Sequence, residues 1–263
     1  MTARGRSAQV MVRRGSSGSG RVADRVIVEE PLEIRLDDHL VATTMRTPGH
    51  DYELAAGFLH GEGLLGDAVV RQVRYCATGS AVETEFNVVS VETGGLAPEP
   101  APRLMPTTSS CGLCGSQSVE ELAARLAPLA EPAPVVPAVL AGVAAAVRAR
   151  QELFDVTGSV HAAASFDPTT GEVDVVREDI GRHNAVDKVI GRLLLDSRLP
   201  ATGAGLFVSG RASFEMVQKA WTAGFGLVAA VSGPSSLAVD AARQANLALV
   251  GFLRGEAMNV YTP

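Results

Sequence analysis

The stretch that decides the fold runs from Gly205 to Leu253 and reads GLFVSGRASFEMVQKAWTAGFGLVAAVSGPSSLAVDAARQANLALVGFL. Three short apolar runs, each bounded by glycine or serine, alternate here with segments of helical period. Alternating buried strands and helices joined by short turns indicate a mainly parallel sheet covered by helices. The pattern begins near residue 138, so residues 138–263 are predicted to form one α/β domain.

The part of the chain before residue 138 has a different pattern. Residues 23–106 hold β-branched, strand-like runs and one helical segment, Tyr52–Leu65, and are predicted to form a smaller mixed α+β domain. Residues 1–22 combine five arginines with glycine and serine and contain no acid, which predicts a disordered basic tail. Two segments rich in proline and alanine bracket residues 107–126, and residues 107–137 are predicted to form a mobile loop and linker.

Composition excludes several classes of protein. The chain carries 29 acidic and 23 basic residues, a formal charge of −6, which argues against nucleic-acid binding through a broad basic face. No apolar run approaches the roughly 20 residues that a bilayer requires, and no export signal follows the N-terminal arginines. Three cysteines do not make a disulfide framework. We therefore expect a cytoplasmic protein that contacts neither membrane nor nucleic acid.

The sharpest chemical feature is the pair Cys111 and Cys114 in Cys-Gly-Leu-Cys. A thioredoxin-like use is disfavoured, because such a motif normally opens a helix directly after a buried strand, and here a proline-rich connector precedes it. A structural zinc site needs four ligands, and only Cys76 and scattered histidines remain to complete it. Small polar flanks also suit a mobile loop that carries sulfur as a persulfide. The motif alone leaves zinc binding and sulfur transfer equally open.

A second feature is the dense run of charges from Arg177 to Lys188 at a predicted strand end. Ligands of open α/β sheets bind beyond the carboxyl ends of the strands, where helix N-termini favour phosphate. Further turns with glycine, serine or arginine follow the next strands, at 209–213, 232–236 and 252–256. Together with Arg182 they predict a pocket for a nucleotide or another phosphorylated molecule. The alternative is a solvated turn with helical charge pairs. The chain has no Walker-A loop, no G-x-G-x-x-G and no deaminase P-C-x-x-C, which disfavours those three enzyme classes.

These motifs, in this order, resemble the signatures of the FdhD family of formate dehydrogenase accessory sulfurtransferases. The resemblance covers residues 24–262 and is carried by the segments at 48–59, 107–115, 157–161, 177–188, 209–213, 232–236 and 252–261. It implies a cytidine-deaminase-like C-terminal domain without the zinc site. It also implies a homodimer that receives sulfur from a cysteine desulfurase and serves the catalytic subunit of formate dehydrogenase.

The resemblance further implies residue roles. Cys111 matches the persulfide cysteine, and Cys114 matches an assisting second cysteine. The implied substrate is the molybdenum (or tungsten) bis(molybdopterin guanine dinucleotide) cofactor, bound through its guanine-nucleotide ends, with no permanently held metal. The stretch implied to bind it comprises Phe252, Leu253, Arg254, Gly255, Glu256 and Ala257. The alternative function is a zinc-stabilised chaperone that escorts a metalloenzyme without transferring sulfur.

Overall fold

The computed structural model describes residues 5–15, 20–76, 80–99, 120 and 122–263. It begins with an antiparallel two-stranded ribbon formed by β1 (Ser7–Arg13) and β2 (Arg21–Ile27). The prediction of a disordered tail over residues 1–22 is therefore wrong for β1. Its valines at positions 10 and 12 are two apart, as in a strand, and the partner β2 supplies the backbone hydrogen bonds that a lone segment lacks.

A four-stranded sheet and one long helix follow. The strands are β3 (Glu30–Leu36), β4 (His39–Arg46), β5 (Gln72–Tyr75) and β6 (Val88–Glu92), in the spatial order β4-β3-β6-β5. The helix α1 (Asp51–Gly61) covers this sheet and buries Leu54 and Leu59 against Leu32 and Ile34. This unit is the predicted mixture of strands with a helix.

The C-terminal part is built on a six-stranded sheet of order β12-β11-β10-β9-β7-β8. Its elements are α2 (Pro137–Ala149), α3 (Glu152–Thr157), β7 (His161–Phe166), β8 (Val173–Asp179), α4 (Arg182–Leu195), β9 (Gly205–Val208), α5 (Phe214–Ala223), β10 (Leu227–Ala230), α6 (Ser236–Ala245), β11 (Ala248–Arg254) and β12 (Ala257–Thr262). The α/β fold class predicted from the sequence is confirmed. None of the helices in the described part of the chain has the length and apolar character needed to cross a bilayer.

The strand directions differ in part from the prediction. Strands β9, β10 and β11 are parallel, whereas β7, β8 and β12 run antiparallel to their neighbours, so the sheet is mixed. The cause is connection length. Turns of a few residues join β7 to β8 and β11 to β12, and a tight turn can only produce an antiparallel pair. Because β7 is reversed, its start lies at the same sheet edge as the end of β9.

Two further segments depart from the sequence-based expectation. The apolar spacing of Val139–Leu153 predicts one continuous helix, but the structure has two, α2 and α3, separated at Arg150 and Gln151. The described end of the predicted linker is packed on the C-terminal domain: the Trp221 indole N–H donates to the Ala127 carbonyl at 2.9 Å, and the Ala133 N–H donates to the Gly226 carbonyl at 3.0 Å.

The two sheets are joined through α1 and α4, whose backbones touch. A Cβ atom added to Gly57 would lie 1.8 Å from the Asp187 carbonyl oxygen, and one added to Gly191 would lie 1.8 Å from the Glu53 carbonyl oxygen. Real Cβ atoms essentially never come within 3.0 Å of another heavy atom in this way. Only glycine at both positions allows the two helices to cross at this distance.

Candidate functional site

The sequence-predicted site residues fall into two groups. Cys111 and Cys114 lie outside the described residues. The stretch from Phe252 to Ala257 forms the end of β11, a tight turn and the first residue of β12. Phe252 has a φ of 55°, and its exposed ring rests over Gly233, where an added Cβ would lie 2.7 Å from the ring. The predicted turns at 232–236 and 252–256 therefore contact each other at the sheet edge.

A cavity of about 580 Å³ opens at this edge, between α2, α3 and the ends of the strands. Its polar lining includes Arg148, Gln151, His161 and Ser209, and its apolar lining includes Leu253. The volume lies within the range of about 300–1,000 Å³ that is usual for small-molecule sites. Leu253 places one residue of the predicted cofactor stretch in the cavity wall.

His161 is the titratable ring in the cavity wall. Its Nδ1 lies 3.5 Å from the Ser209 Oγ, which accepts a hydrogen bond from the Ala162 N–H at 2.8 Å. Burial, together with the nearby positive Arg182 and the His183 ring, lowers the pKa of His161 below its ordinary value. The ring is therefore neutral at neutral pH, with one nitrogen able to donate and the other able to accept a hydrogen bond.

Beside His161 lies a group of polar side chains at the start of α4 and α5. A Cβ added to Gly210 would meet the His161 ring at 3.6 Å and the Arg182 Cδ at 3.7 Å, so both side chains pack closely over this glycine. The Arg182 Nε is buried and makes no hydrogen bond with any residue the structure describes. The interaction with His183, whose Nε2 lies 3.9 Å from the Glu215 Oε2, lowers the pKa of Glu215 to about 2.

The run from Arg177 to Lys188 is neither the open anion site nor the solvated turn expected from the sequence. Most of its charges are committed inside the protein. Arg177 makes a bidentate pair with Glu53 of α1, at 2.5 Å and 2.8 Å. The Glu178 carboxylate accepts the N–H groups of Leu153 and Phe154, both at 2.9 Å, at the start of α3.

Two further acids of this run have buried lysine partners. The Asp179 carboxylate lies 2.7 Å from the Lys188 Nζ and also accepts the Thr47 N–H at 3.1 Å. The Asp187 carboxylate lies 2.7 Å from the Lys219 Nζ. The run therefore fixes α1 and α3 around the sheet edge, and leaves Arg182 and His183 beside the cavity.

Among the described residues, no group of three or more His, Cys, Asp or Glu side chains is arranged to hold a metal ion. Cys76, the remaining cysteine, is buried, and its Sγ lies 2.8 Å from the Thr84 Oγ1. Its thiol is thus already engaged by a neighbouring hydroxyl.

Comparison with known proteins assigns the family. The model of the FdhD/NarQ family matches residues 27–263 of this chain. The chain belongs to the FdhD/NarQ family. The FdhD resemblance drawn from the sequence motifs is thereby confirmed, and all of the described cavity lining falls within the matched range.

Relatives in the FdhD/NarQ family are similar over nearly their whole length. The sulfur carrier protein FdhD of Streptomyces coelicolor is 51% identical over 247 residues, covering 90% of this chain and 87% of that protein. The sulfur carrier protein FdhD of Mycobacterium tuberculosis is 47% identical over 263 residues, covering 91% and 93%. The crystal structure of a proposed formate dehydrogenase accessory protein from Desulfotalea psychrophila matches with a TM-score of 0.75 at 26% identity, covering 98% of this chain and 96% of that chain.

The site contains residues that sequence reasoning did not single out. Arg148 and Gln151 reach the cavity from the end of α2 and the residues after it, and Glu215 lies in the first turn of α5. Polar residues in or beside a helix, such as these, have the pattern of an ordinary solvent-facing surface. The exception is His161, which follows Gly158, a residue with a φ of 64° that ends α3. Its place at the start of the buried strand β7, within the segment 157–161 that carries the family resemblance, was the available signal.

Proposed function

We propose that this protein is a sulfur carrier that serves formate dehydrogenase. It accepts sulfur from a cysteine desulfurase as a persulfide on Cys111 and passes it to the molybdenum bis(molybdopterin guanine dinucleotide) cofactor before that cofactor enters the enzyme. The main support is the family: relatives named sulfur carrier protein FdhD are about 50% identical over nine tenths of the chain. We further propose that it works in the cytoplasm as a homodimer.

Loading requires a thiolate that a partner enzyme can reach. The Cys111 thiolate attacks the terminal sulfur of the desulfurase persulfide, a new S–S bond forms on Cys111, and the desulfurase cysteine leaves as a thiolate. Cys76 is a poor alternative, because its side chain is buried and contacts Thr84. Cys114 is proposed to assist delivery from the neighbouring position.

The cofactor is the proposed substrate, and its nucleotide ends are polyanionic. The cavity can take a nucleobase and ribose, for which the neutral His161, Gln151 and Ser209 offer hydrogen bonds. Arg182 and the N-termini of α4 and α5 offer positive charge and N–H groups to phosphate. The turn from Phe252 to Ala257 is proposed to close over the bound nucleotide.

Intact-mass measurement tests the loading step. Incubation with a cysteine desulfurase and cysteine should add about 32 Da, the mass of one sulfur atom held as a persulfide. Cys111→Ser should lose the adduct, while Cys76→Ser, a change at the buried cysteine, should keep it. A wild-type protein that gains no sulfur, or a Cys111→Ser protein that still gains it, would contradict the proposal.

The zinc-stabilised chaperone predicts a different outcome. Such a protein would contain one zinc ion per chain in metal analysis and would unfold with a chelator. A sulfur carrier whose cysteines take up persulfide needs neither property. Metal analysis of the purified protein, made alongside the mass measurement, therefore separates the two functions.

A further inference from the structure

The ribbon of β1 and β2 has two unlike faces. Residues directly opposite in the register share a face, so Arg13 and Arg21 lie side by side, and Arg25 lies on the same face opposite Gln9. Met11, also on this face, is 56% exposed. The other face carries the small and apolar side chains of Ala8, Val10, Val12, Val22 and Val26, with Asp24 among them. We call the first the basic face.

The basic face points to solvent. On β1, Val10 and Val12 of the opposite face are half-buried, while Met11 and Arg13 of the basic face are exposed. Helix α3 packs against both strands of the ribbon. On β2, Arg21 and Arg25 are exposed as well, so all three arginines of the basic face are open to solvent.

Arg25 of the basic face donates to the Ser7 Oγ across the ribbon at 3.2 Å, whereas Arg13 and Arg21 do not serve the stability of the ribbon. Like charges directly opposite each other across an antiparallel pair are destabilising, as with Arg13 and Arg21. Neither these two nor the adjacent Arg14 forms an ion pair or side-chain hydrogen bond with any residue the structure describes. A two-stranded ribbon is only marginally stable by itself. Such a placement is consistent with a counter-charge supplied by another molecule.

The charge of the rest of the chain limits what that molecule can be. Residues 1–27 hold six arginines and one aspartate, so residues 28–263 hold 17 basic and 28 acidic residues and carry a formal charge of −11. Such a body repels an extended polyanion such as nucleic acid or an anionic membrane. An acidic patch of limited size on a protein fits better. Arginine and methionine are also enriched at protein interfaces.

We propose that the basic face docks an acidic patch on the desulfurase that loads this protein with sulfur. The inference rests on the proposed function, which requires a repeated encounter between two proteins. It adds a surface outside the matched family range, which begins at residue 27. Complementary charge acts mainly on the rate of encounter, which it raises by about 10- to 1,000-fold and which salt reduces.

The rate of persulfide formation on Cys111 tests the docking surface. The double variant Arg13→Glu and Arg21→Glu should load about tenfold more slowly than the wild type at low salt. The difference should shrink to less than about twofold near 0.5 M salt, where the Debye length is only a few ångströms. The charge-retaining variant Arg13→Lys and Arg21→Lys should load within about twofold of the wild type.

A control variant makes the same change in net charge at two arginines outside the ribbon. Arg198→Glu and Arg243→Glu replace two exposed arginines outside the ribbon and should load at the wild-type rate. Loading by a small-molecule polysulfide, which needs no docking, should be equal in all variants. Equal desulfurase rates in the ribbon variant and the control would overturn the docking surface, as would a lysine variant as slow as the glutamate one. A wild type that accepts no sulfur from the desulfurase would instead overturn the proposed function.

Discussion

Gly191→Ala tests whether the contact between α1 and α4 holds the two sheets together. The added Cβ would lie 1.8 Å from the Glu53 carbonyl oxygen and 2.8 Å from the Gly57 nitrogen. Both atoms belong to the backbone, so no side chain can rotate away. Restoring an ordinary contact of 3.4 Å requires α1 and α4 to separate by about 1.6 Å.

The expected cost follows from that separation. Overpacking in a well-packed interior costs about 1–3 kcal/mol and occasionally more. Here a cost of about 3–5 kcal/mol is expected, because the shift also pulls Glu53 of α1 from Arg177 of β8. Alanine recovers about 1 kcal/mol through its better helix propensity. The net loss in the free energy of unfolding is therefore about 2–4 kcal/mol.

Equilibrium unfolding in urea measures this loss, and the chain offers a matched control. Gly142 lies within α2, and a Cβ added there meets no atom within 4 Å. Gly142→Ala should therefore raise the free energy of unfolding by about 0.5–1 kcal/mol. If Gly191→Ala proves as stable as Gly142→Ala, the two helices are not in backbone contact and the reasoning is refuted.

Two further predictions concern the charges around this crossing. Burial acts to raise the pKa of Glu53, but hydrogen bonds from Arg177 and His50 lower it from the ordinary 4.5 to about 2. The ionised Glu53 therefore stabilises the fold, and this stabilisation is lost as the pH falls from 4.5 towards 2. Between pH 7 and pH 3.5 the wild type should lose about 1.4 kcal/mol more stability than Glu53→Gln in urea unfolding, and identical losses would contradict this. Lys219→Met should lower the free energy of unfolding by about 3–5 kcal/mol, because Asp187 is then buried without its cation. The double variant Lys219→Met and Asp187→Leu should recover most of that loss, as measured by thermal unfolding. A double variant less stable than the single one would count against the charge argument.

The sequence predicted the C-terminal sheet well for a physical reason. Buried strands such as Leu227–Ala230 and helices such as Ser236–Ala245 have local patterns that the structure keeps, with Ser235 accepting the Ala238 N–H at the start of α6. Strand β12 was missed, because Ala257–Thr262 lies at an edge of the sheet and five of its six residues are exposed or half-buried without regular alternation.

The contacts that unite the sheets could not be predicted in this way. Glu53 and Arg177 are 124 positions apart, and nothing local marks either as the partner of the other. For the same reason, the charged run beginning at Arg177 was interpreted as an anion site. Charge density is visible in a sequence, whereas the pairing of those charges with α1 depends on the folded arrangement.

The sequence named candidate site residues only where a motif carries the chemistry. Cys111 and Cys114 were found by their spacing, and they stay predictions because they lie outside the described residues. Leu253 was placed at the site by resemblance and does line the cavity. Arg148 and Gln151 lack such a motif, since they reach the cavity only through the angle at which α2 ends over the sheet.

The pairing of the charged run with α1 has a consequence for genetic screens. A substitution at Arg177, Asp179 or Asp187 removes one partner of a buried or half-buried ion pair, and a destabilisation of a few kcal/mol lowers the steady-state amount of protein in a cell. Such variants will score as inactive through abundance, with the lining of the cavity unaltered. Substitutions at His161 should instead leave abundance near normal. Measuring protein amount beside activity will thus separate the residues that hold the fold from those that line the cavity.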